Sequence, residues 1–153
     1  MDVLGIDHVA IVSDDVNETA ELFEDLLGIK FGERIEYTTE TIGDDQKLEG
    51  RLSNGFEGFD LVSPRDGEEN AVQDYLDSHG PGFYGLALRV RDIERALKEL
   101  HEKEVEPIGH IKNADFVEYF FHPNDFGGIF MVLAETAHPF ESIFKTEEGQ
   151  STE

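Results

Sequence analysis

Apolar and polar positions follow a pattern along this chain that runs through once and then begins again. Ile6, His8, Ala10 and Val12 alternate with Asp7, Val9 and Ile11, which predicts a strand apolar on both faces and therefore central in its sheet. Asp14-Asp15 supplies a helix N-cap, and Glu18 stands three residues after Asp15, where a capping box places its acid. Val16, Ala20, Phe23 and Leu27 then recur at helical spacing, with Thr19, Leu22 and Leu26 beside them, and Gly28 ends the helix in the left-handed position. An extended segment from Ile29 to Tyr37 follows, then a polar stretch to Asp45. A strand over Lys47 to Ser53, the turn Asn54-Gly55 and a strand from Phe56 to Val62, stopped by Pro64, complete the unit.

Residues 65–81 read as a linker, turn-rich at first, with a short helix through Val72, Tyr75 and Leu76 that GPG breaks. Gly85 to Val90 is again a strand and Asp92 again a cap. Ile93, Ala96, Leu97 and Leu100 form a second helical stripe, with Glu94/Lys98 and Glu99/Lys103 as i,i+4 pairs. Glu104 stands where the first helix has its glycine, at a cost of about 1 kcal/mol if left-handed. Strands over Val105 to Ile111, Phe116 to Phe121 and Gly128 to Ala134 follow, the last two joined by HPNDFGG. Setting GIDHVAIVSDD on GFYGLALRVRD places His8 on Gly85, Ala10 on Ala87, Val12 on Arg89 and Asp15 on Asp92. The fold class is therefore α+β, two tandem βαβββ modules at 1–64 and 82–135. An acidic, partly disordered tail fills 136–153, where Phe140, Ile143 and Phe144 are the residues that would dock on a neighbour and leave a homodimer open.

Composition narrows what such a fold does. The chain carries 35 acidic against 12 basic residues, a net charge of −23 spread along its length. That field repels nucleic acid and anionic membranes, so neither is an expected partner. An acidic, lysine-poor surface of this size is what a protein working in concentrated salt carries, where screening falls to about 3 Å at 1 M. No cysteine is present, which excludes disulfides, thiolate metal sites and Cys nucleophiles. No signal-like or membrane-length apolar run occurs, and the expected location is the cytoplasm.

Three polar residues stand out against apolar strands. His8 is either a neutral, hydrogen-bonded core residue or a metal ligand. Asp60, between Phe59 and Leu61, is expensive to bury without a partner and points to a wet cavity. Arg89 shares a strand face with Gly85 and Ala87 and needs an anion, either Asp60 or a substrate carboxylate.

The duplicated module, with IDHVAI, a helix ending in LLGI, the linker YLDSHGPG, the helix VRDIERALKELHEKEV and HPNDFGGIFMVLAE, resembles the vicinal oxygen chelate (glyoxalase, bleomycin resistance and dioxygenase) superfamily, nearest to its methylmalonyl-CoA epimerase-like and glyoxalase-like members. The resemblance implies a half-barrel cup with a divalent metal at its floor, held by four ligands from the first and last strands of each module. One position at a time, those ligands fall on His8, Asp60, Gly85 and Val132, so two are lost. His122 heads the substitutes, with Tyr84, Glu118, Tyr119 and His110 as others, and the epimerase-type base falls near Asp45-Gln46. Gln46, Tyr84, Gly85, Arg89, Phe130 and Val132 are the implied substrate contacts.

Two readings stay open. One is an isomerase or lyase using a divalent metal (cobalt, nickel, manganese, zinc or iron) for proton transfer beside a carbonyl of a small acid or thioester. The other is a metal-free small-molecule binding protein of the bleomycin-resistance type, with Gly85 and Val132 opening room for an apolar ligand. A dioxygenase fits less well, because the second His and the last-strand carboxylate of its triad are missing.

Overall fold

The computed structural model describes residues 1–41, 45–55, 57–65, 70–112 and 114–136. The apolar residues of the tail, Phe140, Ile143 and Phe144, lie outside them. Among the described residues there are eight strands, β1 (Val3–Val12), β2 (Ile35–Thr41), β3 (Gln46–Leu52), β4 (Phe59–Pro64), β5 (Gly82–Val90), β6 (Gly109–Lys112), β7 (Phe116–Phe121) and β8 (Phe130–Thr136). Three α-helices join them, α1 (Val16–Leu27), α2 (Ala71–His79) and α3 (Ile93–Glu102), with a 3₁₀ turn at Pro123–Phe126.

The strands close into a barrel in the order β1-β4-β3-β2-β6-β7-β8-β5. Each module supplies one half. β1 and β5 meet antiparallel at the centre, and each has the last strand of its own module as a parallel neighbour. The parallel pairs Ala10↔Asp60 in the first half and Ala87↔Val132 in the second occupy equivalent places, which confirms the register that sets Ala10 on Ala87. The expected half-barrel cup differs in one respect: its two free edges touch. β2 and β6 pair through Glu40↔His110 and Thr41↔Gly109, and the His110 ring reaches the Glu40 carboxylate at 2.9 Å.

Helix ends follow the sequence signals. Asp15 accepts hydrogen bonds from the Asn17 and Glu18 amides at 2.9 and 3.2 Å, and Gly28 sits at φ 71°. Asp15→Ala should cost about 1 kcal/mol of stability, read from a urea midpoint, because two amide donors lose their acceptor. Glu104 does adopt the left-handed conformation, at φ 63°. Two strands differ from expectation. β2 runs into the stretch read as polar, since threonines at alternate positions suit a half-buried strand. β3 ends at Leu52 and β4 begins at Phe59, the expected strand start at Phe56 lies outside the described residues, and the Asn54 amide donates to the Lys30 carbonyl at 2.8 Å.

Apolar side chains collect on both sides of the sheet. Outside, Val16 and Ala20 of α1 pack on Leu61 and Phe31, and Ile93 and Ala96 of α3 pack on Phe121, Met131 and Leu133. Inside, Val12, Leu48, Val62 and Val72 form one cluster and Ala87, Phe120 and Val132 another. No helix among the described residues is long and apolar enough to cross a membrane. With a net charge of −23, the fold should gain stability as KCl is raised from about 0.1 to about 2 M, read as a rising Tm; a flat or falling Tm would remove the expectation of a high-salt protein.

Candidate functional site

Strand alternation turns His8 and Ala10 of β1, Asp60 and Val62 of β4, Glu118 and Phe120 of β7, and Phe130 and Val132 of β8 into one cavity inside the barrel. Tyr37 and Thr39 of β2 and Gln46 and Leu48 of β3 complete the first half's wall, and Ala71 and Val72 of α2 cover one side. About 90 Å³ of it is open to the centre of a water molecule, room for a small ligand or the reactive end of a larger one. Gln46 helps fix α2 there, its side-chain oxygen accepting from the Ala71 amide at 3.2 Å.

The polar groups of this cavity act on one another. The Asp7 carboxylate accepts from the His8 Nδ1–H at 2.8 Å, which leaves Nε2 facing Asp60 Oδ2 at 3.6 Å. Burial alone would lower the His8 pKa, but the Asp7 hydrogen bond and the charges of Asp60 and Glu118 lift it to about 9. Asp60 is raised by burial, with His8 opposing and Asp7 adding to the shift. Burial also lifts Glu118, to about 7, with the His8 charge opposing and the Asp60 and Asp7 charges adding. Tyr37 is held well above its ordinary value, first by burial and then by Asp60 and Glu118, so its hydroxyl stays protonated as a donor. Burial pushes Tyr84 up to about 12.

The expected site residues divide by position. His8, Asp60, Gln46, Tyr84, Phe130 and Val132 all line the cavity. Asp45 does not: it stands exposed just before β3, and alternation makes Gln46 the inward residue. His122 is also outside the lining, and its Nδ1 accepts from the Asn124 amide at 3.0 Å to cap the 3₁₀ turn. Arg89 is buried, on the strand face its parity predicts, but lies beyond the cavity lining, where its guanidinium donates to the Thr136 hydroxyl.

Gly85 corrects a further expectation. It opens no room, because a Cβ built there would lie 2.5 Å from the Phe130 carbonyl oxygen and 2.8 Å from a carbon of the Phe130 ring. The third ligand position is thus closed by packing as well as emptied of a donor. Glu118, a substitute named from sequence, does face the site. It pairs with Ala134 on β8 as Gly50 pairs with Val62 on β4, so the second half carries its acid one strand over from Val132. Two further lining residues are Tyr37, at the end of the expected extended segment, and Thr39, in the stretch that reads as polar. Their signal was the alternation of Tyr37 and Thr39 with exposed Thr38 and Glu40.

A match to the family described as the glyoxalase/bleomycin resistance protein/dioxygenase superfamily spans residues 7–120. The chain belongs to that superfamily. Among solved structures it is similar to methylmalonyl-CoA epimerase from Mycobacterium tuberculosis, at 28% identity over 92% of this chain and 93% of that one, with a TM-score of 0.70. A Streptomyces coelicolor methylmalonyl-CoA epimerase variant in complex with 2-nitronate-propionyl-CoA matches at 22% identity over 88% and 96% of the two chains, TM-score 0.67. A 4-hydroxymandelate synthase variant from the same organism matches at 18% identity over 99% of this chain and 56% of that one, TM-score 0.65, a likeness of fold alone.

The divalent metal implied by the resemblance can be tested against the donors present. His8 is oriented as ligating histidines are, with a carboxylate on its far nitrogen, and Asp60 stands beside it. The other two ligand positions are the Gly85 backbone under Phe130 and the apolar Val132. Among the described residues no three His, Asp or Glu side chains gather into a metal-holding group, whereas a catalytic site needs about three protein ligands. The family's metal site does not fit this donor set.

Proposed function

We propose that this protein is an isomerase or lyase that moves a proton next to a carbonyl of a small molecule, using the acid–base groups of the barrel cavity. The observation that carries this reading is the convergence, inside apolar walls, of the Asp7-supported His8 with Glu118, whose carboxyl is poised near neutrality. Glu118 takes the proton as general base. His8, protonated at neutral pH and steered by Asp7, donates from Nε2 to the oxygen on which enolate charge builds. Tyr37, kept protonated, is a second donor to that oxygen, and Asp60 balances the imidazolium charge. The apolar lining excludes water that would compete for these hydrogen bonds.

Likeness to methylmalonyl-CoA epimerases supports the reaction class. The test is exchange of carbonyl-adjacent protons for deuterium, followed by NMR over a panel of small ketones, aldehydes and thioesters. Exchange that His8→Asn and Glu118→Gln both abolish supports the proposal, and a panel without exchange above the buffer rate removes it. The apolar wall at Phe130 and Val132 favours a second reading, a binding protein that holds a ligand unchanged.

A further inference from the structure

The charges inside the cavity do not balance, and their sign limits what the cavity can take. Among the described residues two carboxyls line it, Asp60 and Glu118, and one basic group, His8. That imidazole is already committed, to Asp7 at 2.8 Å and to Asp60 at 3.6 Å. No Arg or Lys is among the described lining residues. The buried guanidinium of Arg89, outside that lining, donates to the Thr136 hydroxyl. A full carboxylate ligand would therefore meet only an imidazolium already flanked by Asp7 and Asp60, with Glu118 to repel it. A positively charged ligand would meet one carboxylate in excess.

The walls add a second, independent preference. Tyr84 stacks on Phe130 with centroids 4.7 Å apart, and Phe130 lies 5.9 Å from Phe120. Tyr37 lines the opposite half. Aromatic rings and carboxylates lining one cavity are surroundings that an organic ammonium group finds favourable, through cation–π attraction together with charge pairing. A bare metal ion would gain nothing from those rings, and no three donors gather to replace its water.

We infer that the cavity selects a small organic cation, an ammonium-bearing molecule held by Glu118 among the rings of Tyr84, Phe120 and Phe130. This rests on the reading of the cavity as the substrate site, and it makes the substrate an ammonium-bearing carbonyl compound where the family resemblance implied a small acid or thioester. The raised pKa of Glu118 agrees with it, since a bound cation would supply the charge that burial and its acidic neighbours deny.

The test compares three molecules of nearly one shape by titration calorimetry on the full chain at pH 8: choline, neutral 3,3-dimethylbutan-1-ol and anionic 3,3-dimethylbutanoate. Choline should bind at least about 10-fold more tightly than the alcohol, and the butanoate should give no heat. Glu118→Gln, a neutral isostere, should shrink the choline preference to about 3-fold or less. Tyr84→Leu should weaken choline and leave the alcohol nearly unchanged. Butanoate binding as tightly as choline, equal binding of choline and the alcohol, or no choline heat up to about 10 mM would each overturn the inference. So would stoichiometric manganese binding that choline fails to displace. Failure of the proposed function reads separately: choline preference without deuterium exchange in any carbonyl compound leaves the ligand class standing and removes the enzyme. Exchange in a ketocarboxylate without cation preference does the reverse.

Discussion

Glu118→Gln should lose about 10²–10⁴-fold in proton exchange while making the folded protein more stable above neutral pH. The two effects have one cause. Burial first, then the Asp60 and Asp7 charges, lift the folded-state pKa of Glu118 from an ordinary 4.5 to about 7. Such a group contributes its stability fully below about pH 4.5 and loses it as pH climbs through 7, because the folded state must then hold a charge it disfavours. The amide has no proton to lose. The variant's stability should stay flatter between those pH values and exceed the wild type at pH 8, on the order of 2 kcal/mol after allowance for coupling to His8. His8 supplies a check on the assignment. Its value of about 9 depends partly on the Glu118 charge, so its NMR titration should move down in the variant. His8 itself contributes stability below about 6.5 that is lost as pH rises through 9, and that loss should be smaller and complete at a lower pH in the variant. Equal pH profiles for the two proteins in urea would sink this account of Glu118.

Gly85→Ala should be the most damaging single-methyl change in the barrel. Its Cβ would stand 2.5 Å from a carbonyl oxygen and 3.1 Å from Phe130 Cβ, and Gly85 and Phe130 are direct partners in the β5–β8 ladder. The oxygen cannot retreat without pulling the ladder apart, so a loss of about 3 kcal/mol or more is expected, at the upper end for overpacking. Truncating Phe130 to Ala in the same chain should recover little, because the backbone atom remains. Gly85→His, which restores the donor type at the family's third ligand position, should therefore fail to fold stably with or without added metal. A Gly85→Ala protein within about 0.5 kcal/mol of wild type would show that the ladder yields.

Much of the architecture could be read in advance because helix caps and alternating strands leave strong local marks. Asp15, Gly28, Asp92 and the stripe Ile93-Ala96 all took their expected places. β2 did not, because Thr38 to Thr41 reads as polar until a cavity gives a strand face something wet to line. The site divides in the same way. His8 and Asp60 were legible as polar residues in apolar strands, where burial demands a reason. Asp45 rests on the family resemblance and His122 on its proximity in sequence to Val132, and a single step of strand parity or a capping turn is enough to carry a side chain out of the cavity. The closure of Gly85 by Phe130 is a contact between strands about 45 residues apart, and no local pattern announces it.

The pairing of β1 with β5 has a kinetic consequence. Val3 finds its partner at Val90 and Val12 at Gly82, so the first strand made is also among the last to have its edge covered. Until then a long row of unpaired amides and carbonyls stands open beside the exposed apolar residues Val3, Leu4 and Ile6, the kind of edge on which one nascent chain captures another. A ring whose central joint spans most of its described length folds slowly for its size, since that loop must close before any pairing rewards it. The strong negative charge then has a use apart from salt or ligand: it holds unfinished chains away from one another while the ring is still open.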